Sequence, residues 1–127
     1  MKIAALICRI LLGLLFLVFG SNVFFHFIPM QPMPGTAGQF MTALFVSHYV
    51  MVIGLFEIIP AILLLINRYV PLALTLLAPV LVNIFFFHVF MAPAGLPLAI
   101  VVILLWIVIA ISVKSAFAGI LQQKVSS

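Results

Sequence analysis

Four runs of apolar residues, near 3–28, 48–66, 70–91 and 96–113, account for most of this chain, and few polar residues interrupt them. A helix needs about 20 residues to cross a hydrocarbon layer, and each run approaches or exceeds that length. Inside hydrocarbon every backbone N–H and C=O must find its partner within the protein, so only helices and closed barrels can span, and four spans are too few for a barrel. The expected fold class is all-α: a polytopic membrane protein with a four-transmembrane-helix bundle as a single domain over residues 1–127. Composition agrees, because 69% of the residues are hydrophobic and 5% charged, more apolar surface than a soluble domain of this size can bury. The first run, preceded by Lys2, has the outline of a secretion signal. Arg9 interrupts it and no small-x-small cleavage site follows, so it reads as a retained helix.

The basic residues set the orientation. Lys2 and Arg9 lie at the start, Arg68 between the second and third runs, and Lys114 and Lys124 at the end. The other two connections, Pro29 to Ser47 and Ala92 to Leu96, contain none. The positive-inside rule then places both termini in the cytoplasm, with a bacterial inner membrane as the expected location. A net charge of +4 spread this thinly makes no patch for nucleic acid. Cys8 is the lone cysteine, which excludes dithiol chemistry within one chain.

Glu57 is the only carboxylate and sits within an apolar run. An acid at bilayer depth costs roughly 2.5 to 3.5 kcal/mol on insertion scales, so it calls for a partner or a role. Arg9 is the only other charge inside a run, and a structural ion pair between Arg9 and Glu57 is the expected solution. Pro60 and Pro79 deprive the carbonyls of Phe56 and Thr75 of their helical donors, predicting kinks there.

The longest connection opens with prolines at 29, 32 and 34 and continues as Thr36 to Ser47, with Phe40 and Leu44 at helical spacing. This predicts a short amphipathic helix on the outer face, between the first and second spans. The segment Asn22 to Pro29, containing His26, is echoed by Asn83 to Pro93, containing His88, each at the outer end of an odd-numbered span. Asn22, His26, Asn83 and His88, with Glu57 beneath them and phenylalanines around them, are the candidate ligand-binding residues of an outward-facing pocket covered by the short helix. The same amides can instead bond across helices, and the histidines, His48 included, to loop backbone. Nothing in the spacing supports a metal site, and haem is a weaker candidate than quinone.

Arg9-Ile-Leu-Leu-Gly13, Phe19-Gly20, Glu57, Arg68-Tyr-Val-Pro71 and Pro79-Val-Leu-Val-Asn83 leading to His88 together resemble the DoxX-like family of small four-helix membrane proteins, over roughly residues 5–118. The resemblance implies a four-helix bundle and a loose association with quinone-linked or sulfur-linked respiratory oxidoreductases. Two readings of function follow. The first is a non-catalytic or accessory redox-associated subunit holding a quinone in the outer pocket. The second is a membrane-protein assembly factor or structural subunit with no small-molecule ligand. In both, the expected partners are lipids and other membrane subunits or further copies of the chain, and no catalytic residue can be named.

Overall fold

Hydrocarbon leaves a backbone no partner but itself, and the apolar runs become helices accordingly. The computed structural model describes residues 2–29 and 31–125; of the Pro-rich connection, Met30 lies outside them. Helix α1 is Lys2–Phe25, α2 Gly35–Val46, α3 Tyr49–Leu65, α4 Val70–Phe90 and α5 Leu96–Ser112, with 3-10 turns at Pro93–Gly95 and Lys114–Phe117. Three helical units, α1, α4 and Pro93–Ser112, are long and apolar enough to cross a membrane. Helix α3 has 17 residues, about 25 Å at 1.5 Å per residue; counted with α2, from which it bends by 87°, it raises the number of spans to four. The protein is a helical membrane bundle.

Left-handed backbone marks the ends of these helices. His26 (φ 53°) follows α1, His48 (φ 65°) makes the bend between α2 and α3, and Asn67 and Tyr69 (φ 56° and 53°) form the turn into α4. Asn and His tolerate this region better than most residues with a Cβ. Helix α2 thus leaves the bundle direction almost at a right angle to α3, as an amphipathic helix lying across the end of a bundle must. Both Pro60 and Pro79 sit inside continuous helices.

Helices α1 and α3 pack on each other and contact α5 and α4 respectively, while α4 and α5 close the fourth side. Leu12 and Phe16 of α1, Leu64 of α3, Leu74 and Leu77 of α4 and Ile109 of α5 fill the centre. Trp106 ties α5 to α4 through its indole N–H, which donates to the Leu74 carbonyl at 2.9 Å. The α1–α3 contact is the tightest seam. A methyl group on Gly13 would come within 2.8 Å of Leu65 and 3.2 Å of the Ala61 carbonyl oxygen. On Gly20 it would come within 2.8 Å of Ile58, 3.0 Å of the Glu57 Cβ and 3.1 Å of the Gly54 carbonyl oxygen. Where lipid removes the hydrophobic drive between helices, such small residues let the backbones approach and gain dispersion contact.

That register overturns the expected ion pair. Gly20, not Arg9, lies opposite Glu57. The Arg9 guanidinium donates to the carbonyl oxygens of Leu64 and Leu65 at the end of α3, about 10 Å further along that helix than Glu57. The last carbonyls of a helix have no donor of their own, and a cation suits the negative end of the helix dipole. Arg9 is therefore a C-terminal cap for its neighbour. A cleft at the same end brings Lys2 and Arg9 together with Asn67 and Ser112, so the basic residues collect at one end of the bundle, and the phenylalanines of α1 and α4 lie toward the other.

Two outcomes follow for stability in detergent. Gly20→Leu should lower it by about 1–3 kcal/mol, since the added side chain meets backbone as well as side chains. Arg9→Met, which strands the Leu65 carbonyl and leaves Leu64 only the Asn67 N–H, should cost about 1–3 kcal/mol, and should add to Glu57→Gln within about 0.5 kcal/mol because the two residues share no contact. A chemical-unfolding double-mutant cycle checks both; strong coupling would restore the ion pair.

Candidate functional site

The five residues expected to line one pocket stand in separate surroundings. Asn22, 8% exposed, closes the turn after α1: its Oδ1 accepts from the Ile28 N–H at 2.7 Å and its Nδ2 donates to the Ile28 carbonyl at 3.3 Å. Both faces of the amide are spent on backbone. Glu57, also 8% exposed, lies in the α1–α3 seam beside Gly20. None of the hydrogen bonds among the described residues involves its carboxyl.

On α4, Asn83 is exposed on the outside of the bundle, and its Nδ2 donates to the Pro79 carbonyl one turn back at 2.7 Å. His88 is half-buried; its Nδ1 faces the Ile84 carbonyl at 2.8 Å, the geometry of a donated bond. The far side of its ring rests on Gly95, where a methyl group would overlap the imidazole. His88 therefore packs the turn between α4 and α5 against the end of α4. The common principle is that a polar side chain surrounded by apolar neighbours takes the nearest backbone partner, one turn away or in the adjoining loop.

A cavity of about 1070 Å³ does exist at the phenylalanine-rich end, between the segment after α1 and helix α2. Its polar lining is His26, Gln31, Gln39 and Thr42, and its apolar lining includes Ile28, Met33, Met41 and Phe45. Of the five candidates only His26 contributes. The expectation that Asn22, Glu57, Asn83 and His88 line it with His26 is corrected. Helix α2 forms one wall of this space, which lies at the end of the bundle rather than at its centre, where Leu12, Phe16 and their neighbours form the core.

Helix α2 is held over the bundle end at two points. The Phe40 ring lies 5.5 Å from that of Phe87 on α4, and Phe45 lies 6.4 Å from the His26 ring. Gly38 lets the chain fold back, because a side chain there would collide with the Met33 carbonyl. Gln31, Gln39 and Thr42 were not singled out from the sequence. For Gln39 and Thr42 the signal was the three-residue spacing of Thr36, Gln39 and Thr42 along α2, a polar stripe bordered by Phe40 on one side and Phe45 on the other. The three histidines join no cluster of three or more His, Cys, Asp or Glu side chains able to hold a metal among the described residues.

The chemistry of the cavity is thus hydrogen bonding beside apolar surface, near the end of the hydrocarbon layer, with no carboxylate or cysteine in its wall. No curated protein and no solved structure matches the chain significantly. A family model described as DoxX matches residues 4–89, more than half of the chain and a stretch that takes in α1, the cavity, α3 and nearly all of α4. The chain accordingly belongs to the DoxX family.

Proposed function

We propose that this DoxX-family membrane protein is an accessory, non-catalytic subunit of a membrane redox assembly, and that it holds a ligand of the quinone class in the cavity between His26 and α2. The observation that supports this reading is the lining of that cavity. A quinone head presents two carbonyl acceptors on an apolar ring with an apolar tail. The ring N–H of His26, the amides of Gln31 and Gln39 and the hydroxyl of Thr42 are donors, and Met33, Met41 and Phe45 supply soft apolar walls. Pockets for such ligands are mostly apolar with a few converging polar groups. The expected kinship with respiratory oxidoreductases favours quinone over other lipid-soluble carbonyl compounds.

The ligand reading is tested with the purified protein and a short-tail quinone such as decylubiquinone. Saturating quinone should raise the unfolding midpoint, since a ligand at 100 times its dissociation constant adds about 2.7 kcal/mol to stability. Gln39→Leu and Thr42→Val should weaken that shift several-fold while Glu57→Gln and Asn83→Leu leave it intact. If no shift is measured and lipid extracts of the purified protein contain no quinone, the structural or assembly reading replaces this one.

We further propose that the basic end faces the cytoplasm of a bacterial inner membrane, so that the cavity opens to the outside. With Cys8→Ser as background, a cysteine at Thr36 should react with an impermeant maleimide from the outside only, and one at Gln122 from the cytoplasm only. The reverse pattern overturns the orientation.

A further inference from the structure

Helix α4 carries a polar residue on the wrong side. Leu72, Thr75, Pro79, Val82, Asn83 and Phe86 are all exposed, and at 100° per residue they share one face about 100° wide. Leu72, Pro79, Asn83, Phe86 and the exposed Phe90 lie within about 60° of one another, with the three- and four-residue spacing by which one helix packs along another, so Asn83 stands in the seam itself. The opposite face, with Ala73, Leu74, Leu77 and Leu81, is the one buried in the bundle. The exposed face is therefore a complete helix-packing surface with no helix of this chain on it.

Asn83 shows what it needs. It lies about 20 Å from the Val70 end of α4 and about 10 Å from the Phe90 end, within the hydrocarbon layer. Its one hydrogen bond among the described residues uses Nδ2 toward the Pro79 carbonyl. The Oδ1 acceptor and the second amide hydrogen remain, and lipid tails offer neither donor nor acceptor. Pro79 on the same face also has no N–H to give the Thr75 carbonyl, while the Thr75 hydroxyl turns back to Pro71 at 2.9 Å. An amide is donor and acceptor at once, so it complements another amide. Two copies inserted in the same direction and related by a twofold axis along the membrane normal place each residue at the depth of its own counterpart. In that arrangement Asn83 meets Asn83.

We propose that the chain forms a parallel homodimer through this face of α4, closed by a reciprocal hydrogen bond between the two Asn83 amides and flanked by Pro79 and Phe86. The proposal does not rest on the quinone reading, since the face lies outside the cavity. Single cysteines placed along α4 and α5 in a Cys8→Ser background, oxidised in native membranes, test it. Disulfide dimers at positions 79, 86 and 90 with little at Leu104 on the exposed side of α5 support the proposal. A flat profile, preferred crosslinking at Leu104, or products whose mass matches another polypeptide overturn it. In parallel, self-association of labelled protein in bilayers, read by energy transfer against dilution, should weaken about 3- to 30-fold in Asn83→Leu and recover in part in Asn83→Gln. Decylubiquinone binding by Asn83→Leu should be unchanged, which separates this test from that of the cavity. Unaltered association in Asn83→Leu would overturn the role of the amide.

Discussion

The close approach of α1 to α3 governs the arrangement of this protein. Gly20 faces the Gly54 carbonyl at a distance that admits no side chain, and Gly13 faces Ala61 in the same way one heptad nearer the basic end. Lipid tails are as apolar as leucine, so burial alone does not drive two such helices together; contact between backbones does. Once this register is set, Arg9 reaches the end of α3, where its donation joins that of the Asn67 N–H on the Leu64 carbonyl and serves the Leu65 carbonyl as well. The same register places Glu57 against Gly20, far from any cation among the described residues.

A solid bundle interior follows. With Leu12, Phe16, Leu64, Leu74 and Leu77 packed at its centre, space lies toward the two ends of the bundle, as the small cleft at the basic end and the larger cavity where α2 turns away from α3. This division suits a protein whose spans form a scaffold and whose distinctive surface lies at the membrane boundary. The left-handed residues His26 and His48 bracket that surface and mark where α1 stops and where α2 bends into α3. The His26 ring also reaches the cavity wall.

Polar residues divide by the partners they find. Asn22 and His88 are satisfied within their own turns and stiffen the helix ends. Asn83 is only half satisfied and faces outward, which makes α4 the natural side for association. Cavity and outward face are separate features, so an accessory subunit could hold a small ligand at its boundary and a second copy along its flank without one use obstructing the other.

Membrane class, helical architecture and the short covering helix were legible in the sequence because each follows from one-dimensional properties: run length, proline placement and the period of apolar residues. The gathering of charge at one end was legible for the same reason, since alternate connections of an up-and-down bundle must meet there. Partnership was not. Whether Arg9 meets Glu57 or the end of α3 depends on how far one helix slides along another, and that is set by where Gly13, Gly20, Gly54 and Ala61 allow contact. Whether Asn83 points inward depends on the rotation of α4, which an almost uniformly apolar helix does not announce, because lipid-facing and core-facing positions are alike in composition. Sequence thus determined which segments enter the membrane and where they end. Only the tertiary structure, by fixing slide and rotation, decided which of the few polar groups meet one another, which meet backbone, and which are left facing lipid.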